Sequence, residues 1–288
     1  MTRSHLAPGV SLVAVPDGGC AVRTPDGEFL WVDTGTVAAS RLRDRLAGGS
    51  GGVDDDVELA ALVRAFERAG YLEATQTDRS DTEGASSWPL DRRVILLTGE
   101  PALTGPLSAL LAECAAEPRT VAPDEVVDAA EAGGAAAVVW CHDEPVPPGL
   151  WDAADRLPER GVGWLRCHRE GFQVWIEPLA AGPGDVTSAH VRARRLAATP
   201  AHRELAAYWE GRRTEQPFPP TPVHRHLVAA HLAADLTAWA QGAPATRRLR
   251  LIDLRQARVS EHTVLPVPDV APLPVAPLPV VAAPLPVS

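Results

Sequence analysis

Val94-Ile95-Leu96-Leu97-Thr98-Gly99-Glu100-Pro101-Ala102-Leu103-Thr104-Gly105 decides how the rest of the chain is read. A short β-branched and leucine-rich run meets a Gly/Pro turn and continues into a helical run over 106–114. That is the order of a first strand, loop and helix in an α/β domain. In a nucleotide-binding version the turn reads G-x-G-x-x-G, and backbone N–H groups at the helix N-terminus face the phosphate. Here Pro101 takes the place of the second glycine, with no N–H and a ring where phosphate must approach. Thr104 stands at the third place, and Gly105 comes one residue late. The residues predict a nucleotide-type framework whose phosphate cradle is spoiled.

Downstream, strands are expected at 119–121, 135–140, 161–166 and 172–176, with helices over 123–132 and 148–158. An Arg-rich helix carries His190, Arg192, Arg194 and Arg195. Cys141-His142-Asp143 looks like a triad in miniature, but successive side chains at a strand end point to opposite sides and cannot relay a proton. A strong amphipathic helix is predicted over 223–239, with Val228, Leu232, Leu236 and Trp239 as one stripe. His224, His231 and Asp235 share a neighbouring face. With no further ligand in view they read as surface or hydrogen-bonded side chains rather than a metal site. Strands at 248–254 and 258–264 close the domain. The tail repeats Ala-Pro-Leu-Pro-Val at 271–275, 276–280 and 283–287, which reads as a disordered polyproline II segment.

The 288 residues leave room for two domains, and 45% hydrophobic with 22% charged residues is ordinary for a globular protein. A net charge of −10 argues against general nucleic-acid or anionic-membrane binding, which needs a basic footprint. All 27 basic residues are arginine, and neither lysine nor asparagine occurs. Schiff-base chemistry, a P-loop lysine and a lysine general base are therefore excluded. Cys20, Cys114, Cys141 and Cys167 are scattered without a C-x-x-C, the pattern of free thiols in a reducing cytoplasm, with no metal site implied. No signal peptide is expected at Met1–His5, and prolines forbid a membrane helix over 264–287.

The N-terminal part alternates strand and turn over 10–15, 20–24 and 28–33. A helix capped at Thr34 or Thr36 follows, ending at Leu46. Asp54-Asp55-Asp56 then introduces a second helix over 57–69, with Leu59, Leu62, Val63 and Phe66 at helical spacing. On the third strand Phe29 and Trp31 alternate with Leu30 and Val32. Both of its faces are apolar, so one set needs a partner unless the chain's own helices cover both. Arg64 and Arg68 stand one turn apart on the last helix. A DNA-binding winged helix is the other reading of this order, but Glu58, Glu67 and three aspartates repel phosphate as much as the arginines attract it.

Three strands followed by helices and an Ala-Gly-Tyr-Leu ending resemble the winged-helix-like, PqqD-like element that binds precursor leader peptides in ribosomal peptide natural-product (RiPP) pathways. That resemblance implies a leader added as an extra strand on Phe29, Leu30, Trp31 and Val32, beside Leu62 and Phe66, with Arg64 and Arg68 meeting acidic residues. Later, a strand, Glu177-Pro178-Leu179-Ala180-Ala181-Gly182-Pro183-Gly184 and an Arg-bearing helix resemble the centre of ubiquitin-activating-enzyme-like (ocin-ThiF-like) partner proteins of YcaO cyclodehydratases. The closing run Leu249–Pro268 is similar to their end. Asp185-Val186-Thr187-Ser188 stands where those proteins often hold cysteines, so no structural zinc is implied.

The α/β fold so implied has a recognition element over 8–73, a linker over 74–91, a ThiF-like Rossmannoid domain over 92–266 and a Pro-rich tail over 267–288. The function implied is a cytoplasmic, non-catalytic adaptor that holds the leader and presents the core to a YcaO cyclodehydratase, as in thiopeptide or azole-modified peptide biosynthesis. No catalytic residue and no cofactor are implied on this chain, with ATP and magnesium belonging to the partner enzyme. A homodimer is a further implied assembly. The alternative within the same superfamily is an ATP-dependent adenylating enzyme, which the missing lysine and asparagine and the proline in the loop oppose.

Overall fold

The structure, a computed structural model, describes residues 4–15, 19–46, 56–74, 88–214 and 218–267. The chain divides into two compact units with the boundary at residue 84.

In the first unit, β2 (Ser11–Ala14), β3 (Cys20–Arg23) and β4 (Phe29–Val32) form an antiparallel sheet in that order, and β1 (Ser4–Leu6) pairs antiparallel with β5 (Leu72–Ala74). The β3–β4 turn closes with Thr24 N–H donating to Glu28 O at 2.9 Å, and Gly27 supplies the φ of +88° that the turn needs. Helix α1 (Ala39–Leu46) starts later than a cap at Thr34 or Thr36 would place it. Residues 34–37 make a turn instead, and the Thr36 hydroxyl reaches Glu58 on α2 (Val57–Arg68). Asp56 caps α2 by accepting from the Glu58 and Leu59 amides. The core gathers Cys20, Val22, Val37, Leu42, Leu46, Leu59 and Phe66. The β1–β5 pair was not foreseen, and Asp54 and Asp55 lie outside the described residues.

In the second unit a seven-stranded mixed sheet runs in the order β12-β11-β10-β9-β8-β6-β7. Its elements are β6 (Val94–Gly99), α3 (Pro101–Glu113), β7 (Glu117–Thr120), α4 (Val126–Glu131), β8 (Ala137–His142), β9 (Gly163–Glu170), β10 (Gln173–Ile176), α5 (Ser188–Ala197), α6 (His202–Trp209), α7 (Pro222–Ala240), β11 (Arg248–Asp253) and β12 (Arg258–Thr263). Strands β7, β6, β8 and β9 are parallel; β9 to β12 are antiparallel neighbours. Because side chains alternate along each strand, two cores form. On one face Ile95, Leu97, Val139, Leu165 and Ile176 pack against α3 and α7, whose Leu107, Leu111, Val228, Leu232 and Leu236 are buried. On the other, Leu96, Val138, Trp140 and Trp164 pack against Val126 and Ala130 of α4 and against Trp151 and Leu157.

Two expectations are corrected, and one helix is additional to them. Residues 154–160 form a 3-10 helix rather than the end of an α-helix over 148–158, since Pro158 inside the run removes a donor. Helix α6 had no forecast. The linker is shorter than 74–91: Ala74 closes β5, while Trp88 is buried in the second unit's core and donates through Nε1 to Arg92 O at 2.7 Å. Residues 75–87 and the Pro-rich repeats beyond Val267 lie outside the described residues. No described helix is long and apolar enough to cross a membrane.

Candidate functional site

Among the described residues β4 is an edge strand, hydrogen-bonded only to β3. The Thr24–Glu28 bond sets the alternation of the ladder, so Leu30 and Val32 bond to β3 while the backbone groups of Phe29 and Trp31 point to the open side. Phe29, Leu30 and Trp31 are 63%, 43% and 67% exposed, large values for side chains of this kind. Val32 and Leu62 are half-buried against the core below. The Trp31 ring lies over Gly19, where an added Cβ would sit 2.6 Å from the indole carbons. Gly19 is thus a seat for the ring that the sequence reading missed; a glycine just before β3 was the available signal. Arg64 and Arg68 are exposed on α2. Phe66 does not belong with them. It is buried and meets Tyr71 edge-on at 6.0 Å, so it is a core residue and offers no surface to a ligand.

At the β6–α3 corner Pro101 occupies the first helical position, and Glu100 is the cap, its carboxylate accepting from Ala102 N–H at 3.2 Å. The free amide that would meet an anion is therefore already bonded to a carboxylate. Gly105 lies inside α3, away from the turn. The adjoining cavity, about 590 Å³, is walled by Glu100, Asp143 and Glu144 beside Trp140, His142 and Phe218. Arg169 reaches it but is bound to Asp143 at 2.6 Å. Burial keeps the His142 pKa below the ordinary imidazole range, so it adds no compensating charge. These residues do not fit a triphosphate. Cys141 is buried on the opposite face of β8 from His142, so 141–143 does not form a relay. His224 belongs to the α7 cap with Thr221, and Asp235 is held by Arg250 at 2.8 Å.

A polar network inside the second unit went unforeseen. Arg166, His168 and Glu170 alternate along β9 on the face that carries Trp164. Glu170 accepts from Arg195 Nη1 and Nη2 at 2.9 and 2.7 Å, and from the indoles of Trp175 and Trp209 at 3.1 and 2.6 Å. Burial alone would raise the Glu170 pKa, but hydrogen bonds from His168 and Arg195 pull it far below the usual carboxylate range. A depressed pKa contributes stability that is complete above the ordinary value of 4.5 and fades as pH falls toward the folded value. Glu170→Gln is accordingly expected to lose about 2 kcal/mol at neutral pH. Urea titrations should show that deficit shrinking steadily below the ordinary carboxylate pKa; a pH-independent deficit would contradict this account.

No protein-family model matches the sequence, nor does the sequence of any curated protein. Solved structures do match in fold. The heterocyclase TruD superposes with a TM-score of 0.58 at 16% identity, covering 92% of this chain and 42% of its own. A heterocyclase in complex with substrate and cofactor gives 0.57 at 13%, covering 92% and 39%. E. coli MccB with MccA gives 0.63 at 9%, covering 94% and 99%. The fold is shared with these proteins. Coverage above nine-tenths takes in both units, and the chain spans about two-fifths of the length of the heterocyclases it matches.

Proposed function

We propose that this chain is a non-catalytic adaptor of a RiPP-modifying assembly. Its first unit, read as a winged-helix-like leader-recognition element, adds the leader of a precursor peptide to β4. Its second, read as a ThiF-like Rossmannoid platform, presents the core to a YcaO cyclodehydratase that forms thiazolines or oxazolines. Main-chain hydrogen bonds to an open edge supply affinity, while alternate side-chain pockets supply selectivity. Tethering raises the core's local concentration at the partner's active site without this chain touching the bond that forms. ATP and magnesium are assigned to the partner. The observation that carries the reading is the open β4 edge with Phe29, Leu30 and Trp31 in water. The fold shared with a heterocyclase supports it.

The test is a calorimetric titration with the leader of a precursor encoded beside this chain. Trp31→Glu should weaken binding by about 2 kcal/mol, roughly 30-fold. Its thermal midpoint should not move, because the side chain is exposed. Equal binding by parent and variant refutes the edge assignment, and saturable ATP binding by the chain alone refutes the non-catalytic reading.

A further inference from the structure

A second cavity, about 240 Å³, lies in the second unit and is independent of the β4 edge. Val146, Trp151, His168, Val191, Arg192 and Trp209 line it. Two of these carry a buried nitrogen with no hydrogen-bond partner among the described residues: Trp151 Nε1 and His168 Nδ1. Both residues are more than nine-tenths buried, and their rings meet edge-on at 5.9 Å. An unpaired polar group in such a place is destabilising unless something occupies it.

The third polar group is Arg192. Its guanidinium lies 4.4 Å over the Trp209 ring and, among the described residues, donates only to a neutral oxygen, Val146 O, at 3.3 Å. Burial lowers its pKa, as expected of a cation short of compensation. The acids nearby are spent or peripheral. Glu177, which also lines the cavity, is bound through Oε2 to Arg166 at 2.6 Å, with its Oε1 3.8 Å from His168 Nδ1. Glu170 is bound to Arg195. Glu210 and Asp152, whose charges act on Arg192, are exposed, and Glu210 pairs with Arg212 at 2.8 Å. His168 Nε2 stands 3.3 Å from both Glu170 Oε1 and Arg195 Nη1, a donor site and an acceptor site together. The ring can carry its proton on Nδ1 when an acceptor enters, Nε2 then accepting from Arg195 Nη1 in place of donating to Glu170.

We propose that this cavity binds a small carboxylate. Its oxygens would accept from Trp151 Nε1–H, His168 Nδ1–H and Arg192, and its apolar body would rest on Val146, Val191 and Trp209. A neutral polar ligand would leave Arg192 uncompensated, and a phosphate would need more donors than these three residues offer. The carboxylate belongs either to a free organic acid or to an acidic side chain of a peptide.

The experiment is a nitrogen-15 NMR titration of the full chain, following the Trp151 indole resonance, identified by its loss in Trp151→Phe. The probes are phenylacetate, phenylacetamide, and capped Gly-Glu-Gly and Gly-Gln-Gly peptides. A saturable downfield shift with an acid, and at least about tenfold weaker binding of its amide, is the expected result. Response to phenylacetate assigns a free acid, and response to the glutamate peptide alone assigns a side chain. Arg192→Gln, read by calorimetry and so independent of the assignment variant, should weaken the acid at least about tenfold. Equal binding of acid and amide, or a resonance unmoved by every acid, overturns the proposal.

Discussion

Gly99→Ala is expected to unfold the second unit or cost it at least about 3 kcal/mol. Gly99 has a φ of +102°, and a Cβ there would lie 2.0 Å from Cys141 O. That carbonyl cannot retreat freely, because it accepts the Glu100 amide at 2.8 Å and so ties the end of β8 to the start of α3. Backbone conformation and backbone contact thus both forbid a side chain. Gly105→Ala is the matched control. Nothing lies within 4 Å of its Cβ position inside α3, so alanine should be neutral or add about 0.5–1 kcal/mol. The urea midpoint of Gly99→Ala should fall while that of Gly105→Ala holds or rises. A Gly99→Ala protein as stable as the parent would show that the corner is not built as described.

Arg166→Met is expected to cost about 3–5 kcal/mol, on the order of a 10 °C fall in thermal midpoint. Arg166 is completely buried; Nε donates to Glu177 at 2.6 Å, Nη2 to Val186 O at 2.9 Å and Nη1 to Pro178 O at 3.5 Å. Burial already raises the Glu177 pKa, with Arg166 and His168 opposing it. Without the guanidinium that carboxyl is driven further toward its neutral form. Since a raised pKa favours the protonated state, the variant's deficit should narrow as pH falls. Arg166→Met combined with Glu177→Leu should recover most of the loss, because the cost lies in stranding one charge rather than in the pair itself. Four urea curves, for parent, both singles and the double, measure the coupling. Additive losses would mean the two side chains do not act together.

What the sequence made legible was whatever is periodic or punctuated. Strand β6 reads from an unbroken apolar run, α2 from its aspartate cap and spacing, α7 from a stripe whose Val228, Leu232 and Leu236 are buried with Trp239 half-buried beside them. The proline in the phosphate loop was equally plain. Two signals were present and unused: Arg166, His168 and Glu170 recur at period two, which puts three ionisable groups on one sheet face, and Glu177 follows close behind. Other features are not local at all. Strands β1 and β5 are three residues each, too short for a pattern, and exist because the ends of the unit meet. Phe66 and Leu62 share a helical stripe, so spacing alone could not say that one is core and the other half-exposed.

An open strand edge bearing three large apolar side chains invites self-association, since two copies could zip together and aggregate. The acidic residues beside β4 oppose this. Exposed Glu28 and Asp33 flank β4, so a second copy meeting this edge brings two further carboxylates to the strand ends. Negative charge accumulates there, while a guest strand with neutral or basic ends meets no such penalty. The same two side chains thus discourage fibril-like stacking and leave the edge free for a foreign sequence.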